Sequence, residues 1–245
     1  MLFLRSFLFA VGMLLSTLII APLAVLTFPF PFAARYAFIT QWARFNLWWL
    51  RLSCGLRYVV HGRDNIPAGN AIVFCKHQSA WETLALQSIF PPQVWLLKRE
   101  LLWVPFFGWG LAMLEPIAID RRAGRKAVEQ LVRQGTERLA DGRWVVIFPE
   151  GTRVAPGQTG RYGIGGAVLA AASGYPVVPV AHNAGEFWPR RGFIKRPGTI
   201  TVVVGPMIDP RGKDAETINE EAKEWIERNT RELSTARCFN RSGRV

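Results

Sequence analysis

The stretch "FCKHQSAWETL", residues 74–84, sets His77 at the end of a short apolar run and Glu82 five positions later. An imidazole takes a proton from a hydroxyl near neutral pH. A carboxylate on its other nitrogen fixes the tautomer and stabilises the imidazolium that forms. His77 and Glu82 therefore read as a catalytic pair, a base with its acidic partner, suited to activating an alcohol. The same residues carry a second reading. Ser79-Ala80-Trp81-Glu82 is a capping box, S-x-x-E at a helix start, and needs no chemistry. The two demands on Glu82 compete, and the expectation is that both cannot be fully met. Ser79 lies too close to His77 along the chain to be its nucleophile, and capping accounts for it. His61 and His182 show no paired ligand pattern and are read as structural.

A base at the end of a strand needs a sheet to hold it. "NAIVFCKH", "QVWLLKRE", "PIAID", "WVVIFPEG", "YPVVPVAHN" and "TITVVVGPMI" read as strands. Between and after them run helical patterns: "SAWETLALQSIF" stopped by Pro91-Pro92, an amphipathic stretch over 122–140, the small-residue run "GIGGAVLAAAS", and a charged stretch over 214–234. Strands alternating with helices predict an α/β fold. The expectation is a single domain with a largely buried mixed sheet flanked by helices, preceded by an N-terminal membrane-associated helical segment. The division expected is 1–58 for membrane-embedded or interfacial helices and 59–245 for the catalytic domain.

The N-terminus has no charged residue from Ser6 to Ala34. As one straight helix this stretch is about 43 Å long, against a hydrocarbon core of roughly 30 Å. Pro22, Pro29 and Pro31 argue against one straight helix. Three readings stand: one crossing with a proline-rich end in the interface, a helical hairpin that enters and returns, or a cleaved signal peptide. Arg5 stands alone on one side, while Arg35, Arg44, Arg51 and Arg57 follow on the other. For a spanning segment this places the main domain on the cytoplasmic side of the inner membrane. Residues 35–57 read as a helix with arginines among Trp42, Trp48 and Trp49, lying in the interface on one face and packed on the domain with another.

Composition agrees with a membrane. Half of the 245 residues are hydrophobic, yet the net charge is +12. That combination suits an anionic surface or anionic substrates. Nucleic acid fits the charge alone; the ten tryptophans and the apolar N-terminus fit the lipid headgroup layer instead. No nucleic-acid partner is expected. The basic, aromatic stretch "FWPRRGFIKRPG", 187–198, reads as a second membrane contact through Arg190, Arg191, Lys195 and Arg196. The three cysteines form no C-x-x-C pair, which gives neither a disulfide framework nor a zinc pattern. No G-x-x-x-x-G-K-[ST] loop and no G-x-S-x-G elbow occur. Gly163-Ile164-Gly165-Gly166 lacks the last glycine of a dinucleotide loop and reads as close helix packing.

"KHQSAWE", "LLKRELLWVPFFGWG" (96–110), "VVIFPEGTR" (145–153) and "YPVVPVAHN" (175–183) resemble, in order and spacing, the four motif blocks of the glycerolipid acyltransferase family that contains 1-acylglycerol-3-phosphate acyltransferases. The resemblance runs from about Ala71 to about Asn183. It implies that His77 is the general base and Glu82 its acidic partner, with glutamate where aspartate is more usual. It implies that Lys98 contacts phosphate and that Glu100 belongs to the same second block. It places Glu150, Gly151, Thr152 and Arg153 in the third block, Arg153 on the acceptor's phosphate and Glu150 at the glycerol end. Val178 and Pro179 fall in the fourth, tied to the acyl-donor side and the shape of the pocket. Arg161-Tyr162-Gly163 stands where many members carry a lysine.

The implied reaction moves an acyl group from a thioester, acyl-coenzyme A or acyl-acyl carrier protein, to the sn-2 hydroxyl of lysophosphatidic acid, giving phosphatidic acid. No metal or redox cofactor is implied. The implied partners are the bilayer, the lysolipid and the acyl donor. Alternatives are the same chemistry on another lysolipid, hydrolysis with water as acceptor, and a non-catalytic lipid-binding protein.

Overall fold

In the computed structural model, described here over residues 1–242 and for side chains through residue 234, two long helices lead into a seven-stranded sheet. In chain order these are α1 (Leu2–Leu26), α2 (Phe32–Cys54), β1 (Leu56–His61), β2 (Ile72–Cys75), α3 (Trp81–Ile89), β3 (Gln93–Lys98) and α4 (Phe107–Ala112). There follow β4 (Ile117–Ile119), α5 (Arg125–Ala140), β5 (Trp144–Ile147), α6 (Gly165–Ser173), β6 (Val177–His182), β7 (Gly198–Val204) and α7 (Ala215–Ser242).

The strand order is β1-β7-β6-β2-β5-β3-β4. β2 through β6 run parallel to one another, β7 is antiparallel to β6, and β1 is parallel to β7. The sheet is therefore mixed, as expected. β2, β5 and β6 are buried along their whole length, which is why they read as unbroken apolar runs. Alternate side chains feed opposite faces. Val73, Cys75, Trp144, Val146, Val178 and Val180 pack toward α2 and α3, with Ala43, Leu50, Leu84 and Ala85. Ile72, Phe74, Val145, Ile147 and Val177 pack toward α5, α6 and α7, with Leu131, Leu169, Ala222 and Ile226. The glycines of α6 serve that packing, since a Cβ on Gly166 would lie 2.6 Å from Cζ of Phe74.

Three details of the N-terminal half differ from the sequence reading. The helix expected over 35–57 stops at Cys54. Gly55 adopts φ +68°, and its N–H caps the carbonyl of Arg51. The next residues form β1, an edge strand with only Leu56 buried, so its apolar signal is weak. The boundary placed after residue 58 falls inside this strand. Finally, α1 continues through Pro22 to Leu26; the proline gives up one backbone hydrogen bond without ending the helix.

α1 and α2 form an antiparallel hairpin. Arg5 Nε donates to the carbonyl of Ser53 at 2.8 Å, and Trp49 Nε1 donates to that of Leu8 at 3.0 Å. At the other end Ala24 packs with Tyr36, Ile39 and Leu114. α1 is long and apolar enough to cross a membrane, and Phe3, Leu4, Leu14, Leu15 and Ile19 on its outer side are exposed. α2 has two faces: Trp48, Leu52, Arg44 and Arg51 are exposed, while Tyr36, Ile39, Ala43 and Leu50 are buried. Arg35 also turns inward, donating to the carbonyl of Met113 at 3.0 Å and pairing with Glu115.

The basic stretch 187–198 is only partly a surface. Arg190, Arg191 and Arg196 are exposed, but Lys195 is buried. Its ammonium lies 4.9 Å from the ring of Trp188, 5.1 Å from that of Phe193 and 5.3 Å from that of Phe9. This aromatic cage, with a 2.9 Å bond from the Lys195 N–H to Ser6 Oγ, pins α1 to the domain.

Candidate active site

Because β2 through β6 are parallel, their C-terminal ends open on one edge of the sheet, where ligands collect in open α/β folds. His77 follows β2, Lys98 ends β3, Arg121 follows β4, Phe148 to Arg153 follow β5, and His182 ends β6. Residues far apart in the chain meet there for a topological reason.

His77 is held on three sides. Its Nδ1 lies 2.9 Å from Oε1 of Glu82. Its ring stacks on Phe148, centroids 4.0 Å apart and planes 14° from parallel, and Phe148 stacks in turn on Trp95. Its backbone N–H donates to Oε2 of Glu150 at 2.9 Å, and its carbonyl accepts from Val154 N at 2.8 Å. With Nδ1 committed to a carboxylate, Nδ1 carries the proton and Nε2 keeps the lone pair. The side chain is 14 % exposed and lines a cavity of about 280 Å³.

Glu82 faces His77 and the loop N–H groups at once, and the capping box is half-formed: Glu82 takes the Ser79 N–H, but α3 is capped at Ala80 with no side-chain cap bond. Oε1 accepts from the backbone N–H groups of Gln78 at 2.9 Å and Ser79 at 2.7 Å as well as facing His77. Ser79 Oγ accepts from Trp81 N at 3.1 Å. The 76–80 loop folds tightly enough to aim these donors at one oxygen. Burial by itself pushes the Glu82 carboxyl up; the neighbouring His182 and His77 rings and the Ser79 N–H outweigh it and hold the carboxyl below the usual range. His182 is not remote from this pair. It is buried, its Nε2 donates to the carbonyl of Lys76 at 2.8 Å, and Oε2 of Glu82 lies 4.0 Å from that nitrogen. Its Nδ1 accepts from Ala184 N at 3.2 Å. Burial pushes its pKa down, so the ring is neutral.

The cavity has two chemical characters. Lys98, Arg121 and Arg153 line it with His77; the rest of its wall is mainly apolar, built from Ile20, Ala21 and Ala24 of α1, Ile39 and Trp42 of α2, Leu111 of α4, and Leu114. Arg121 was not singled out from sequence, although it follows the strand "PIAID" much as Arg153 follows "WVVIF". It donates to the carbonyl of Gly151, and burial pushes its pKa down. Gly151 needs its glycine: φ is +65°, and a Cβ would approach the Arg121 guanidinium to 3.4 Å.

The other expected site residues sit behind or beside the cavity. Glu100 is half-exposed and pairs with Lys98 at 3.0 Å. Thr152 is exposed and outside the lining. Val178 and Pro179 are buried in β6 and do not line this cavity. Glu150 turns away from the glycerol end expected for it. Both oxygens are used inside the protein: Oε1 accepts from Lys76 Nζ at 2.7 Å and from Gly160 N at 3.2 Å, while Oε2 takes the His77 N–H. The physical cause is Lys76, a fully buried cation that draws the carboxylate inward.

Comparison with known proteins gives this arrangement its class. Residues 57–183 match the family model described as Acyltransferase. The chain is 50 % identical over 208 residues to a 1-acyl-sn-glycerol-3-phosphate acyltransferase of Pseudomonas aeruginosa, covering 83 % of this chain and 81 % of that one. A protein of the same description from Borreliella burgdorferi is 31 % identical over 180 residues, covering 71 % and 70 %. The crystal structure of the 1-acyl-sn-glycerophosphate (LPA) acyltransferase PlsC from Thermotoga maritima superposes with a TM-score of 0.71 at 22 % identity, covering 95 % of each chain. The chain belongs to the acyltransferase family. It is an enzyme that transfers acyl groups, built on a PlsC-like fold with an apolar N-terminal helix suited to a membrane.

Proposed function

We propose that this protein acylates the sn-2 hydroxyl of 1-acylglycerol 3-phosphate, forming phosphatidic acid. The observation that carries the reading is the cavity itself, whose lining includes His77, Lys98, Arg121 and Arg153 and is otherwise mainly apolar. A lysophosphatidic acid has the same division, a phosphomonoester at one end and an acyl chain at the other. Guanidinium forks suit the phosphate, and the walls given by α1, α2 and α4 suit hydrocarbon. The names of the relatives from Pseudomonas aeruginosa and Borreliella burgdorferi support the same acceptor.

In this mechanism Nε2 of His77 takes the proton of the sn-2 hydroxyl. Nδ1–H donates to Glu82, whose negative charge stabilises the imidazolium. The alcohol oxygen attacks the thioester carbonyl directly, and backbone N–H groups of the surrounding loops stabilise the oxyanion. The tetrahedral intermediate collapses, the C–S bond breaks, and the leaving thiolate takes from His77 the proton removed from the hydroxyl. Every atom is accounted for without an acyl-enzyme, a metal or a redox cofactor. Lys98, Arg121 and Arg153 hold the phosphate; Glu100 orients Lys98, and Gly151 and Thr152 shape the turn that presents Arg153. Val178 and Pro179 form the rigid floor beneath the site. The donor is acyl-coenzyme A or acyl-acyl carrier protein. The apolar α1 and the exposed arginines of α2 support a membrane location, with the cytoplasmic face of the inner membrane as the proposed side.

The test is an acyl-transfer assay on membranes carrying the wild type or His77→Ala, with both donor types and a panel of lysolipids. Phosphatidic acid formed by wild type and lost in the variant supports the reading. Transfer to a different lysolipid keeps the mechanism and changes the acceptor. Free fatty acid with no diacyl product makes the protein a hydrolase.

A further inference from the structure

Behind His77 lies a buried charge cluster that the reaction as written does not use. Lys76 is fully buried. Its ammonium donates to Oε1 of Glu150 at 2.7 Å, to Oε1 of Glu227 at 2.6 Å and to the carbonyl of Gln158 at 3.1 Å. All three ammonium hydrogens are thereby used. Glu227 lies on α7 and is 5 % exposed. It also accepts from Tyr162 OH and Thr159 Oγ1, each at 2.9 Å. Glu150 passes the connection on, because its second oxygen holds the backbone N–H of His77. The carbonyl of Lys76 is at the same time the acceptor for His182.

Stability gives no reason for this cluster. A buried ion pair rarely outperforms apolar residues of the same volume, and here one ammonium serves two carboxylates. What the cluster does is join four separate segments at one residue: the ammonium of Lys76 ties the end of β2 to the 149–162 loop and α7, and its carbonyl ties them to β6. The family match ends at residue 183, before α7 begins.

We propose that Lys76 and Glu227 are positioning residues of the acyltransferase reaction: α7 anchors Lys76 through Glu227, Lys76 anchors Glu150, and Glu150 fixes the backbone of His77. The chain of contacts sets the direction of Nε2 without touching substrate. The C-terminal helix is then part of the catalytic apparatus and not only a cover for the sheet. This inference rests on the acyl-transfer reading above.

The experiment compares full-length wild type, Glu227→Gln, Glu227→Asp and Lys76→Met in the same acyl-transfer assay, with melting temperatures measured alongside. Glu227→Gln is the key variant, because the amide keeps the volume and, with its oxygen in the place of Oε1, an acceptor for Tyr162 and Lys76, while its NH2 can donate to the Thr159 hydroxyl. The expected result is a kcat lowered roughly ten- to hundredfold, unchanged KM for both substrates, and a melting temperature near wild type. Glu227→Asp, which keeps the charge, retains more activity than Glu227→Gln. Lys76→Met leaves two buried carboxylates facing each other; where it folds, it loses more activity than either. Wild-type kcat in a folded Glu227→Gln overturns the proposal. So does a loss confined to KM, or a loss that follows only the unfolded fraction. Inactive wild type, by contrast, defeats the acyl-transfer reading itself.

Discussion

One oxygen of Glu82, Oε1, stands 2.9 Å from Nδ1 of His77 and 2.7 Å from the backbone nitrogen of Ser79. The helix start and the catalytic pair thus share an atom. A capping box is usually a reason to dismiss a nearby histidine; here the half of it that is formed, the Ser79 N–H on Glu82, pre-orients the carboxylate that the histidine needs.

Replacing Glu82 with Gln keeps an acceptor oxygen and most of the loop but removes the charge. We expect kcat to fall by about 10²–10⁴, the range of a general base's contribution, with near-normal KM. Steady-state kinetics beside a thermal melt check this, and a Glu82→Gln enzyme with wild-type kcat would rule out the pair.

Arg121 and Arg153 share the cationic wall with Lys98. Hydrogen bonds to charged groups contribute about 1.5–3 kcal/mol each. Arg121→Ala and Arg153→Ala should each raise the KM for lysophosphatidic acid about 10- to 100-fold, with little change for the acyl donor. Equal effects on both substrates would place the arginines elsewhere.

His182 makes an acid-sensitive contribution to stability. Burial lowers its folded pKa below the ordinary 6.5. Between those two values the unfolded chain binds more protons than the folded one, so stability falls as pH drops. The contribution is fully present above pH 6.5 and is lost below it as pH falls through the folded value. Melting temperatures of wild type and His182→Asn should converge as the pH is lowered from neutral into the acid range; parallel curves would count against it.

Gly166 lets α6 approach β2. A methyl group there meets Phe74 and Ile147, so Gly166→Ala should cost about 1–3 kcal/mol of stability by overpacking. Denaturant melts measure the loss. A nucleotide-binding role for the glycines would instead leave stability unchanged.

Ala21 and Ala24 of α1 close one side of the apolar wall. Ala21→Phe should shift preference toward shorter acyl chains, read from competition between long- and medium-chain lysophosphatidic acids. An unchanged profile would mean that the acceptor's chain lies elsewhere.

Much of this protein is written along the chain. The strands β2, β5 and β6 are legible because burial on both faces demands unbroken apolar runs, and the resemblance of the motif blocks to those of the acyltransferase family points to His77, Glu82, Lys98 and Arg153. The apolar α1 is legible by length and composition. β1 is not legible, because an edge strand buries only Leu56, and because Gly55, which ends α2, stands inside a pattern that otherwise continues as helix.

What the tertiary structure decided are the relations between distant segments. It brought Arg121 to the cavity, because parallel strands end on one edge whatever their separation in sequence. It moved Glu150 and Lys195 from expected surfaces into the interior, because each met partners from other elements: Lys76 for one, the rings of Phe9, Trp188 and Phe193 for the other. Local pattern records which residues prefer water. It cannot record that a buried charge has found its counter-charge on a helix 151 residues away, as Lys76 has with Glu227.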